Sequence, residues 1–122
     1  MEVRDQTLTN LKFREVYIFD MLALQDIYYQ NLHKNNSKNL SFGIPFLLAQ
    51  RGKKINSFAS LVLDQDNRVS FMIFDDVTLS AEDKNEFTNT ISNFLKKKRN
   101  DNFKDPEQFN KSSNYLAKWL DL

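Results

Sequence analysis

Apolar residues recur along this chain in two rhythms, one of two residues and one of three to four. Residues 11 to 19, Leu-Lys-Phe-Arg-Glu-Val-Tyr-Ile-Phe, alternate and then run apolar, which predicts a strand ending at Asp20. Asp20 is placed as a helix N-cap, and Leu24, Ile27, Tyr28 and Leu32 follow at helical spacing to about Lys34. Asn35-Asn36-Ser37-Lys38-Asn39 reads as a loop. Pro45 to Gln50 then reads as a strand turning at Arg51-Gly52-Lys53. A second strand is predicted over 55 to 64, with Ile55, Ala59, Leu61 and Leu63 on one face and Phe58 and Val62 on the other. Asp64-Gln65-Asp66-Asn67 is turn composition, and Val69 to Phe74 completes a meander with large apolar groups on both faces.

The helical rhythm returns at Ser80, whose pairing with Asp83 is a variant of the capping box. Phe87, Ile91, Phe94 and Leu95 share the inward face of that helix, which runs to Lys96-Lys97-Lys98-Arg99. Asp105 before Pro106 is an N-cap followed by proline at the first helical position, opening a last helix with Phe109, Leu116, Trp119 and Leu120 inward. The expected architecture is α+β, in the order β-α-β-β-β-α-α. It has a mostly antiparallel sheet of about four strands and helices on both faces.

Composition narrows the chemistry. The 122 residues suit one domain, 1 to 122, with a single core. The absence of cysteine removes disulfides and thiolate chemistry, and a single histidine leaves no ordinary zinc site, so no metal is expected. Seventeen basic against sixteen acidic residues give a net charge of +1, so no global field draws nucleic acid or an anionic membrane. Met1 to Asn10 has no apolar run of a signal peptide, and no stretch approaches the roughly 18 apolar residues of a spanning helix, which makes a cytoplasmic protein the expectation. Only Gly43 and Gly52 are available for a phosphate-cradling loop.

Other constellations read as structure. His33 beside Lys34 complements the negative end of its helix, as Lys96 to Arg99 does for the later one. Asp75 and Asp76, adjacent on a strand, point to opposite faces and form a solvated strand end, not a proton-sharing pair. Asp64 and Asp66 lack the glycine and glutamate that a calcium loop needs. The α-β-β-β-α order also occurs in double-stranded RNA-binding domains, but the acidic start of the second helix removes that reading. Tyr29, Phe103 and Trp119 are the aromatic residues suited to anchoring a partner.

Three segments together resemble the GNAT superfamily of acyl-CoA-dependent N-acetyltransferases, closest in pattern to the branch acting on ribosomal-protein N-termini. Leu11-Lys12-Phe13-Arg14-Glu15 with Asp20 and Leu24 is similar to that branch's opening Leu-x-Leu-Arg strand and helix-capping Asp. Phe46 to Ile55, continuing into Phe58-Ala59-Ser60-Leu61, resembles the family's central hairpin. Asn110, Ser113, Leu116, Lys118 and Leu120 resemble the segment around its last helix.

The resemblance implies acetyl-CoA as cofactor, held by backbone amides near Phe74, Asp75, Ser80 and Ala81. Glu15 and Asp75 are then candidate bases and Tyr115 a candidate acid, two residues from the family's usual tyrosine position, here Ala117. Where the family places Arg-x-x-Gly-x-Gly, this chain has Val77 to Glu86 without glycine or arginine and with Glu82 and Asp83 in the first helical turn. Such acids would repel a pyrophosphate by about 1 to 4 kcal/mol at ~4 Å. Asp121-Leu122 stands where the family has Gly-Phe and two further strands, and Asn100 to Gln108 carries no strand pattern, so a shortened sheet with an open edge is expected. The expected function is a GNAT-like domain without acetyl transfer that binds a protein partner or forms a homodimer. A working acetyltransferase with a non-standard pyrophosphate loop is the alternative. A second alternative, an unrelated α+β interaction protein of phage or toxin-neutralising type, carries the expectation that the first strand does not pair beside the meander.

Overall fold

The computed structural model describes residues 11–35, 41–76, 79–97 and 105–121. Strand β1 (Leu11–Glu15) leads through a 3-10 turn at Ile18–Asp20 into α1 (Met21–Asn35). Strands β2 (Ile44–Arg51), β3 (Lys54–Leu63) and β4 (Val69–Asp75) follow, then α2 (Ala81–Lys97) and α3 (Pro106–Trp119). All neighbours pair antiparallel and the sheet order follows the chain, β1-β2-β3-β4. The class is α+β, and β1 does pair beside the meander, contrary to the expectation attached to the unrelated-protein alternative.

Alternation along the strands sends large side chains to both faces, and a helix covers each. Under α2, buried Phe87 and Ile91 meet Leu47, Ala49, Ala59 and Leu61, and Phe13 stacks on Phe87 with ring centroids 5.4 Å apart. Under α1, Leu24 and Ile27 meet Leu48, Phe58 and Phe74, with the Phe58 and Phe74 rings 5.1 Å apart. Helix α3 feeds both layers. Phe109 joins the α2 side, while Leu116 and Leu120 pack on the α1 side. Its start is capped as the sequence suggests, the Asp105 carboxylate accepting the Glu107 N–H at 3.0 Å.

Both glycines adopt the left-handed backbone conformation. Gly52 takes φ 63° in the β2–β3 turn, and at Gly43, φ 66°, a Cβ would run into the Leu61 carbonyl. The β3–β4 turn is held by Asp64, whose carboxylate accepts the N–H groups of Asp66 (2.9 Å) and Arg68 (3.0 Å) while Asn67 adopts φ 61°. The Asp64 carboxylate therefore serves the turn.

Several sequence expectations are corrected. The first strand ends at Glu15, not at Asp20, because the chain leaves the sheet at Val16 and tightens into the 3-10 turn. Asp20 closes that turn instead of capping α1: its carboxylate reaches back to the Tyr17 N–H at 2.8 Å. Ile55 packs under α1 with Phe58, not with Ala59. The cause is an extra residue, Asn56, between the pairs Gln50–Ile55 and Ala49–Ser57, which shifts the alternation by one. Trp119 is 58% exposed, not inward. The Asn35–Asn39 loop from 36 onward, Phe103, Lys98, Arg99, most of the 100–108 stretch and the first ten residues lie outside the described residues.

Candidate functional site

Of the site residues drawn from the resemblance, Phe74 and Asp75 at the end of β4 lie beside the α2 start at Ser80 and Ala81, tied by the Lys84–Asp75 contact, while Glu15 stands apart. Glu15 ends β1 and Asp75 ends β4, the two opposite edges of the sheet, so three strand spacings, about 14 Å, separate their strands. Tyr115 lies on α3 and is 77% exposed. Phe74 is buried, and its carbonyl accepts the Ser57 hydroxyl at 3.1 Å. Ser80 caps α2 as the sequence suggests, its hydroxyl accepting the Asp83 N–H at 3.1 Å, and Ala81 is the first helical residue. The Asp83 carboxylate binds Arg51 at 3.2 Å rather than closing the capping box. Asp75 accepts from Ser57 at 2.7 Å and Lys84 at 3.3 Å, and Asp76 pairs with Lys54 at 3.5 Å. These two aspartates are thus partnered and only about a fifth exposed, not the solvated strand end expected.

The strongest electrostatic feature was only half visible in the sequence. Arg14 grips Asp20 in a two-pronged pair, both contacts at 2.9 Å, while its Nε donates to Gln50 at 3.1 Å. Asp20 is 5% exposed. The guanidinium holds its carboxyl below the usual range against the opposing effect of burial, and the Tyr17 N–H adds to the depression. The same pair raises the Arg14 pKa above its ordinary value. Arg14 and Asp20 both belong to the quoted motif. Their mutual pairing depends on the 3-10 turn, which bends the chain back and which no local pattern announces.

Two further features are open to solvent. A shallow cleft of about 280 Å³ lies between α1 and the β2–β3 turn, lined by Ala23, Asp26, Ile27, Lys53, Ile55 and Asp76. Tyr17, Ile18, Phe19 and Leu22 expose most of their apolar surface at the turn before α1. Tyr29 is 41% exposed, with its hydroxyl accepting from Gln25 at 3.2 Å. Among the described residues no group of three or more acids or histidines is placed to hold a metal, and no helix is long and apolar enough to cross a membrane.

The third open feature is the outer edge of β4, and its geometry follows from the β3 pairing. The Asp64 N–H donates to the Arg68 carbonyl at 2.9 Å, and the Asp76 N–H donates to the Asn56 carbonyl at 2.8 Å. Even-numbered residues of β4 therefore bond inward to β3. In an antiparallel ladder the alternate residues Val69, Phe71, Ile73 and Asp75 then direct their N–H and C=O groups outward. The Asp75 carbonyl confirms that direction, since Asn31 of α1 donates to it at 3.0 Å. No strand among the described residues pairs with that edge. Between Val69 and Phe74 it carries no charge and no proline, and its pairing with β3 has no bulge, so it lacks three of the devices that usually guard an edge. No protein-family model, characterised protein or solved structure matches this chain.

Proposed function

We propose that this chain is a GNAT-like domain that has exchanged acetyl transfer for protein binding, with the β4 edge as its docking element. The observation that carries the proposal is the row of outward backbone groups on Val69, Phe71 and Ile73, set in an uncharged strand. An extended segment adds to such an edge through main-chain hydrogen bonds, and its side chains supply selectivity.

The start of α2 supports the same reading. A CoA pyrophosphate needs unoccupied amides and cations at that point. Here the Asp83 amide serves the Ser80 cap, Arg51 is bound to Asp83, and Lys84 is bound to Asp75. Glu82 and Asp83 add negative charge in the first turn.

Two measurements test the reading. A labelled peptide with the sequence of residues 68 to 76, Arg-Val-Ser-Phe-Met-Ile-Phe-Asp-Asp, serves as the strand probe. It is expected to bind saturably, and Ile73→Pro is expected to abolish binding while leaving the β3–β4 ladder intact, because the Ile73 N–H faces outward. Thermal melting with acetyl-CoA is expected to show no shift. A ligand at ~100 times its Kd adds about 2.7 kcal/mol, so a rise of several degrees with acetyl-CoA would overturn the reading in favour of acetyl transfer.

A further inference from the structure

We infer that the partner of the β4 edge is a second copy of this chain, joined β4 to β4 across a two-fold axis at Met72. The inference rests on the strand-addition reading above and adds the identity of the partner and the register.

The register follows from three constraints. A sheet continued through a two-fold axis pairs antiparallel strands, and outward residues must face outward residues. Only registers centred on a single residue meet this condition, because they keep odd-numbered residues opposite odd-numbered ones. Centring on Met72 sets Phe71 opposite Ile73 of the second copy and Val69 opposite Asp75. Every outward residue of β4 from Val69 to Asp75 then faces an outward residue of the second copy, the Asp75 carbonyl keeping Asn31 as a second donor.

Charge selects among the neighbouring registers. With Met72 on the axis, Arg68 of each copy falls opposite Asp76 of the other, closing both ends of the paired strands with opposite charges. Arg68 is exposed, and its side chain has no hydrogen-bond or ion-pair partner among the described residues. Centring on Phe71 instead brings Asp66 opposite Asp76, a like-charge pair. Centring on Ile73 sets Asp75 opposite Phe71 and takes Val69 beyond the strand end. Met72 itself becomes a non-hydrogen-bonded pair, the closer of the two antiparallel spacings, with the flexible thioethers meeting on the α1 face.

The absence of cysteine in the chain makes the test clean. The full chain is expected to sediment as a dimer. Met72→Cys is expected to oxidise to a covalent dimer, since Cα atoms about 4.5 Å apart in such a pair lie within disulfide reach. Phe71→Cys and Ile73→Cys, which would sit on the axis only in the rejected registers, are expected to cross-link at least about tenfold more slowly. Arg68→Glu and Asp76→Arg are each expected to weaken the dimer about tenfold or more, and the double exchange is expected to restore it. Circular dichroism melts of every variant separate loss of pairing from loss of fold.

A chain that sediments as a monomer at its highest soluble concentration overturns the inference. If that monomer still binds the 68–76 peptide, strand addition stands and only the self-pairing falls; if it binds neither, both fall. A dimer that cross-links through Cys at 71 or 73 faster than at 72, or that ignores the double charge exchange, overturns the register.

Discussion

The sheet has two edge strands, and they are built on opposite plans. β1 is five residues long, and Lys12, Arg14 and Glu15 place charge along most of it. β4 is seven residues long and uncharged until Asp75. Beyond β1 the chain folds back at once, and the Arg14–Asp20 pair fixes that return. Beyond β4, among the described residues, a tie is seen at the strand end, where Asn31 reaches the Asp75 carbonyl and Ser57 and Lys84 reach its carboxylate. Two edges of one sheet face the same physical hazard, the recruitment of a foreign strand. One is short and crowded with charge, and the other is left able to pair. The contrast is the reason the proposed docking element is β4 and not β1.

The most forceful way to break the contrast is to remove what holds β4 down. Phe74 is the one fully buried residue of that strand, stacked on Phe58 and edge-on to Tyr28 at 5.6 Å. Phe74→Ala is expected to cost about 3–5 kcal/mol in chemical denaturation. Phe13→Ala on β1, half-buried and stacked on Phe87 alone among the described rings, is expected to cost less, about 2 kcal/mol. Equal losses would mean that both edges are anchored alike.

Arg14→Met comes next, at about 2–3 kcal/mol, because it strands a buried carboxylate while Arg14 itself is about a third exposed. This loss has a definite pH dependence. The folded-state pKa of Asp20 is depressed, so the pair's contribution is complete above the unfolded value of ~3.9 and fades as pH falls through the lower folded value. In the variant, burial without Arg14 raises that pKa instead, and Asp20 can take up a proton. The stability gap between the two proteins is therefore expected to narrow on acidification, read by melts from neutral to acid pH. A gap independent of pH would show that the Arg14–Asp20 pair does not seal the β1 edge.

How much of this could be read in advance depended on whether the signal was local. β3, β4, α2 and the Asp105-Pro106 start of α3 follow from periodicity and capping, because each is written within one turn or one stretch of alternation. The extra residue at Asn56 is not. It exists only as a mismatch between two strands, and Ile55 changes face on its account. Val16 to Phe19 continued an apolar run that reads as strand, yet a contact between Arg14 and Asp20 across the turn takes them out of the sheet. Trp119 has the spacing of an inward residue, but α3 serves two layers and leaves it outside. An open edge was expected from the resemblance. Which edge it is, and which residues point outward, required the sheet order and the Asp64–Arg68 turn.

A smaller effect, about 1 kcal/mol, is expected for Ser80→Ala, which unsatisfies the Asp83 N–H at the start of α2. Its value is as a check that this helix start is structurally committed. If it were an anion site, added phosphate would recover the loss in a melt, and no recovery is expected.

The smallest effect sharpens the comparison most directly, because it repeats the Arg14→Met chemistry on the other edge. Lys84 meets Asp75 by a single contact at 3.3 Å, with side chains 49% and 20% exposed. Solvent screens such a pair, and fixing the long lysine side chain offsets much of the attraction, so Lys84→Met is expected to change stability by about 0–1 kcal/mol. Asp75 would keep Ser57, and its carbonyl would keep Asn31. Parallel denaturant titrations of the two methionine variants decide the matter. A cost for Lys84→Met as large as that for Arg14→Met would mean that the end of β4 is locked as firmly as β1, and the case for a permissive edge would lose its basis.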